Sequence, residues 1–136
     1  VMIQNENLVD LIDLHIPATT ETPEVKCSKE LGEIVMIGNL IPSDPKSFFA
    51  PIIRWFNVYT LEYNPQNIIV HFYLTFVNGC SEHYLGSLLK NLEDLYSRGL
   101  KVEIICHYES DDTDMRDWGR DLKQAVKLPI ELIEIN

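Results

Sequence analysis

Ile69-Val70-His71-Phe72-Tyr73-Leu74-Thr75-Phe76-Val77-Asn78-Gly79-Cys80-Ser81-Glu82-His83-Tyr84-Leu85 runs from the most apolar stretch of the chain into its most regular amphipathic one. Residues 68–77 are apolar at both parities apart from His71 and Thr75, the pattern of a central strand covered on both faces. From Ser81 onward, Leu85, Leu88, Leu89, Leu92 and Leu95 recur at helical spacing, and Arg98-Gly99 supplies a basic last turn and a glycine stop. The junction between strand and helix is where function is expected. A helix start leaves backbone N–H groups without intrahelical partners and carries the positive end of the macrodipole, which suits a plain cap and a phosphorylation switch alike.

Upstream of that stretch, Glu24-Val25-Lys26-Cys27-Ser28 and Glu33-Ile34-Val35-Met36-Ile37 flank the turn-like Lys29-Glu30-Leu31-Gly32 and predict a β-hairpin. Pro42-Ser43-Asp44-Pro45 then starts a helix whose Phe48, Phe49, Ile52, Ile53, Trp55, Phe56 and Tyr59 form a broad apolar stripe ended by Asn64-Pro65. Downstream, 101–107 predicts the next strand. Asp111, Asp112 and Asp114 open a third helix with Met115, Trp118, Leu122 and Ala125 as its buried face, and after Pro129 the stretch 130–135 closes the domain as a strand. The predicted order is ββαβαβαβ: one α/β domain over residues 14–136, a mixed central sheet packed with helices, its crossovers right-handed. Residues 1–13 are polar and acidic with scattered aliphatics and read as a loose arm or a short edge element.

Twenty-one acidic residues against 11 basic ones give a net charge of −10, so nucleic acid and anionic membrane surfaces are disfavoured as partners. No apolar run is long enough to span a bilayer, and the N-terminus lacks the pattern of a secretory signal, so a cytoplasmic protein is expected. Cys27, Cys80 and Cys106 cannot all pair and show no C-x-x-C spacing, in keeping with free thiols in a reducing compartment.

Catalytic and metal-binding constellations are weak. His15, His71, His83 and His107 are scattered without ligand spacing, so no metal site is expected. Asp111-Asp112-Thr113-Asp114 resembles the opening of a calcium loop but lacks the glycine and glutamate that should follow, and helix capping accounts for it. Cys80, near His83 at a helix start, could be a nucleophile, yet no third partner or oxyanion motif accompanies it. No glycine-rich phosphate loop occurs and no cofactor is implied. Composition and spacing therefore favour a binding or regulatory module over an enzyme.

Ile16-Pro17-Ala18-Thr19-Thr20-Glu21-Thr22-Pro23-Glu24-Val25, then Gly32-Glu33-Ile34 with Gly38, then Phe48-Phe49-x-Pro51-x-x-x-Trp55 resemble the SiaC family of bacterial regulatory phosphoproteins. Further along, Phe76-Val77-Asn78-Gly79-Cys80-Ser81 sits where that family has an aromatic or aliphatic residue followed by Asn, Thr, Ser, Ser. Tyr108-Glu109-Ser110-Asp111-Asp112 with Met115 and Gly119 is similar to its acidic helix start, and Leu128-Pro129-Ile130-Glu131-Leu132-Ile133 to its closing strand. The resemblance runs from about residue 14 to 135.

The resemblance implies a fold similar to anti-sigma-factor antagonist (STAS-like) domains and a role in partner switching. In the family, the unphosphorylated protein activates a GGDEF diguanylate cyclase, raising cyclic di-GMP and promoting biofilm, while a serine/threonine kinase and a phosphatase set its state. The family phosphoacceptor is the threonine after the Asn, and here that position is Gly79, followed by Cys80, so only Asn78 and Ser81 persist. Leu40 and Ser43 likewise replace a family Ser and Glu before the first helix. The expected site is the switch region Asn78, Gly79, Cys80 and Ser81, with Ser81 as candidate phosphoacceptor and His83, Tyr84, Arg54 and Asn57 as partner contacts. The alternatives are a STAS-like structural or sensory module serving another partner, and a small thiol enzyme using Cys80.

Overall fold

The computed structural model describes residues 10–136. Six strands form one mixed sheet: β1 (Leu14–Ile16), β2 (Glu24–Ser28), β3 (Glu33–Leu40), β4 (Asn67–Val77), β5 (Lys101–Glu109) and β6 (Ile130–Ile135), lying side by side in chain order. β2 pairs antiparallel with β1 on one side and β3 on the other, whereas β3 through β6 run parallel. Helices α1 (Pro45–Val58), α2 (Gly79–Ser97) and α3 (Thr113–Ala125) make the three crossovers, and a π-helical turn, Tyr59–Tyr63, extends α1 until Asn64 turns left-handed at φ 48°.

The order predicted from sequence gains one strand. β1 has only three residues, too few to show an alternating pattern, and it adds to the free edge of β2 with Ile16 opposite Val25. Of the extension expected over residues 1–13, residues 1–9 lie outside the described residues, and residues 10–13 are tied down. Leu11 is buried, its N–H donates to the Tyr63 hydroxyl at 2.8 Å, and its carbonyl accepts from Lys29 Nζ. The Trp55 indole N–H donates to the Ile12 carbonyl at 3.1 Å, and Asp13 accepts the Lys29 backbone N–H.

Local chemistry starts and stops each element. Asp44 caps α1 by accepting the Ser47 N–H and hydroxyl, with Pro45 at the first helical position, and those hydrogen bonds hold its carboxyl below the usual range. Asp112 accepts the Met115 N–H in the same way at α3. Gly32, in the β2–β3 turn, has φ +64°, and a Cβ there would stand 2.5 Å from the Asn67 carbonyl oxygen, so only glycine fits. Gly119 on α3 lets the helix settle on β5 and β6, since a Cβ would meet Leu132 at 2.5 Å and Cys106 at 3.4 Å. Because α3 approaches through this glycine, its buried face is Met115 and Gly119, with Trp118 and Leu122 half-buried and Ala125 exposed, unlike the stripe read from spacing.

The core lies on one face of the sheet. Ile34, Val70, Ile104 and Ile130 form one row across β3–β6, and Met36, Phe72, Cys106 and Leu132 the next. The helices cover them with Phe49, Ile52, Trp55 and Phe56 from α1 and Leu85, Leu88, Leu89 and Leu92 from α2. Burial pushes the thiols of Cys27 and Cys106 up to about 12, with Asp13 adding to the effect at Cys27. β4 was expected to be covered on both faces. Instead Val35, Ile69, His71, Tyr73 and Ile105 are only half-buried on the opposite face, where no helix of the described residues packs. There His71 Nδ1 and His107 Nε2 share a hydrogen bond of 3.0 Å, and Tyr73 stacks on His107 at 3.9 Å between ring centres. Burial first, and the charge of His71 second, hold the His107 imidazole below its ordinary range, with Glu131 pulling the other way.

Two tests follow from this packing. Gly32→Ala should lose about 2 kcal/mol in urea unfolding, from left-handed strain plus the carbonyl contact. Gly86→Ala, at an exposed helical site with open space around a Cβ, should gain about 0.5–1 kcal/mol; equal effects would contradict the assigned geometry. For His107 the depressed folded-state pKa means that the unfolded chain takes up the proton first, so stability falls as pH drops below about 6.5. His107→Gln should flatten that fall on the acid side of about pH 6.5, read as unfolding midpoints.

Candidate functional site

Asn78 joins three segments at the C-terminal ends of the parallel strands. Its backbone N–H donates to the Leu40 carbonyl at the end of β3, and its side-chain Nδ2 donates to the Pro42 carbonyl in the β3–α1 loop. Its Oδ1 accepts the Ser81 N–H at 2.9 Å and so caps α2. One of the free N–H groups of the helix start is thereby satisfied by the protein itself.

The four residues of the switch region differ in access. Gly79 and Cys80 are exposed, and a Cβ built on Gly79 meets nothing within 4 Å, so a larger residue fits there without strain. Ser81 is the opposite. It is 0 % exposed, and its hydroxyl has no hydrogen-bond partner among the described residues. Ser81 was expected as phosphoacceptor provided that its hydroxyl is exposed, and that condition is not met: the third residue of α2 turns into the core beside the strand ends.

The expected partner contacts come together in part. Arg54 and Asn57 on α1 line a groove with Tyr84 of α2, completed by Lys46, Ala50, Ile53 and Val58, of about 490 Å³. Tyr84 is held by stacking on Phe49, with ring centres 5.3 Å apart and planes 8° from parallel, and by the edge of His83 at 5.5 Å. Lys46 and Arg54 make this groove locally cationic in a chain of net charge −10. His83 itself is exposed beside the groove. Tyr84 follows the switch residues by one turn of α2, so groove and junction form a continuous surface.

Phe76 was read as strand core and is 61 % exposed, at the end of β4 and two residues before Asn78. The signal that could have found it is the parity change at Thr75, after which β4 no longer alternates into the core. Thr75 at that point donates to Asn39 Oδ1, where the β3–β4 register shifts between Gly38 and Asn39. An exposed aromatic ring beside a helix start supplies apolar contact area next to open backbone donors.

Nucleophilic chemistry is poorly provided for. Cys80 makes no hydrogen bond with His83 among the described residues, and the other two thiols are buried. Among the described residues no group of three or more His, Cys, Asp or Glu side chains is arranged to hold a metal ion, and no helix is long and apolar enough to cross a membrane.

A model of the family described as SiaC family regulatory phosphoprotein matches residues 16–135. Among solved structures, SiaC of Pseudomonas aeruginosa superposes with a TM-score of 0.82 at 22% identity, covering 91% of this chain and 99% of that one. The structure described as diguanylate cyclase SiaD in complex with its activator SiaC, from Pseudomonas aeruginosa, matches with a TM-score of 0.85 at 22% identity, covering 90% and 100%. Apo-SiaC from the same organism gives 0.81 at 23% identity, covering 90% and 98%. At these identities the structural likeness speaks for the fold. No curated protein sequence matches the chain.

The cap and its neighbour should respond in opposite directions to truncation. Asn78→Ala removes the cap and the tie to Pro42 and should cost about 1–2 kcal/mol. Ser81→Ala removes a buried hydroxyl that pairs with nothing and should be neutral or stabilising by up to about 1 kcal/mol in the same unfolding assay. A large loss for Ser81→Ala would mean that its hydroxyl is bonded in solution.

Proposed function

The chain belongs to the SiaC family of regulatory phosphoproteins, and from that membership we propose that it is a non-enzymatic, cytoplasmic regulator that docks on a GGDEF diguanylate cyclase through the β4–α2 junction and the α1–α2 groove. The proposal draws on the description of a solved relative as the activator of the diguanylate cyclase SiaD. The observation that carries it is the open, unstrained exposure of Gly79 at the first position of α2, beside Phe76 and the groove of Arg54, Asn57 and Tyr84.

Phosphocontrol is altered on this reading. Gly79 has no hydroxyl to accept phosphate, Cys80 has none either, and the hydroxyl of Ser81 is buried. A regulator without an accessible acceptor at the junction stays in its docking state whatever the kinase does. In the phosphorylatable version of this surface, the added charge weakens docking by repulsion and by the cost of desolvating it against the partner.

The experiment uses a purified GGDEF diguanylate cyclase from the same organism, titrated by calorimetry with its cyclic di-GMP output measured in parallel. Gly79→Glu and Arg54→Glu should each weaken binding about tenfold or more, equivalent to about 1.4 kcal/mol, while circular dichroism stays unchanged. Gly79→Thr should bind like the parent and, unlike the parent, gain one phosphate by intact mass on treatment with the cognate kinase. Full-strength binding by Gly79→Glu would move the contact surface elsewhere. Phosphate on the parent at Thr75 or Thr113 would give it another control point. A group-transfer or hydrolytic activity abolished by Cys80→Ala would favour the thiol enzyme instead.

A further inference from the structure

The four parallel strands β3–β6 are covered by helices on one face, yet strands of this kind are rarely left open on the other. The open face has an apolar and aromatic middle formed by Val35, Ile37, Ile69, Tyr73, Ile105 and Ile133, and Ile37 is 36% exposed. Charged residues edge it, which is the layout of a protein interface with a dry centre and a polar rim. We propose that this face is a two-fold interface between two copies of the chain.

The register across the sheet is what selects a second copy as the occupant. Lys26, Val35, His71, Ile105 and Glu131 form one continuous row over β2, β3, β4, β5 and β6. β4 is the middle strand of those five, and Lys26 and Glu131 carry opposite charges at equal distance from it, while His15 of β1 continues the row beyond Lys26 and outside the overlap of the two faces. A two-fold axis parallel to β4, lying between two such faces, exchanges β2 with β6 and β3 with β5 of the other copy. Lys26 then faces Glu131 and Val35 faces Ile105, each pair occurring twice, with His71 near the axis. A closed two-fold interface needs a surface complementary to itself, and this row has that property.

In the next row Glu24, Ile37 and Tyr73 lie on one side and His107 and Ile133 on the other, with Tyr73 stacked on His107. The same axis lays Tyr73 on its own copy and Ile37 on His107, while Glu24, set opposite Ile133, is already paired with His15 at 2.9 Å. Glu33 and Glu103 flank Ile69 in the row nearest the start of the strands, and there the two like charges meet at the solvent edge, where screening keeps the cost small. Five strands about 4.8 Å apart and about 20 Å long present about 480 Å² in projection per copy. Both copies together bury on the order of 1,000 Å² or somewhat more, which is the lower end of specific interfaces and fits a dimer of micromolar strength.

Sedimentation velocity on the full chain, from about 1 to 300 μM, tests the proposal. The parent should pass from monomer to dimer with a dissociation constant on the order of 10 μM. Lys26→Glu and Glu131→Lys, both at exposed positions, should each raise that constant at least tenfold, and the double swap should bring it back to within about threefold of the parent. Gly79→Glu should leave the dimer intact, so a failure here is distinguishable from a failure of the docking surface at the junction. A monomer at every concentration would overturn the interface. So would a dimer indifferent to both single charge changes, a double swap that does not restore association, or a dimer broken by Gly79→Glu.

Discussion

Crossovers that always step in the same direction constrain everything else in this molecule. From β3 onward each parallel strand is followed by a helix and then by its immediate neighbour, so the order in space equals the order in sequence. A right-handed connection repeated in one direction puts every helix on the same side. The apolar residues of α1, α2 and α3 therefore share one core with a single parity of each strand, and the C-terminal ends of the strands gather at one rim. The β4–α2 junction lies on that rim, where open α/β sheets commonly present ligands and partners.

Within that frame, Asn78 sets the geometry of the junction. It binds the end of β3, the loop entering α1 and the first turn of α2, so the exposed residues after it are carried on a rigid seat. This explains how Gly79 can be both open and fixed: its freedom is in the space around it, while its backbone is held by the cap. The same seat turns Ser81 inward, and one short segment thus combines an accessible position with a sealed one two residues away.

Much of the architecture was legible because local signals were strong. Asp44-Pro45, Asn64, Gly32, Asp112 and the leucine spacing of 85–95 each act through a cap, a turn or a period that depends on few distant contacts. What the sequence hid depends on long-range arrangement. β1 is too short to have a period and exists only because β2 offers an edge. The even apolarity of 68–77 does not reveal that one of its faces carries no helix among the described residues, since that follows from the direction of the crossovers. The burial of Ser81 depends on where β4 ends relative to the helices, which no spacing within the segment encodes, and the exposure of Phe76 is marked only by the polar Thr75 before it. Arg54 and Asn57 stand far from Tyr84 in the sequence and are its neighbours because α1 and α2 pack side by side.

The three thiols have been sorted by the fold into two classes with very different availability. Cys27 and Cys106 are sealed in the core, and burial pushes both up to about 12, so at neutral pH almost none of either is in the reactive anionic form. Cys80 stands in water on the second residue of α2. The native chain therefore comes with a single addressable handle at the rim, and a maleimide dye or spin label placed there without any engineering would report directly on what approaches the junction.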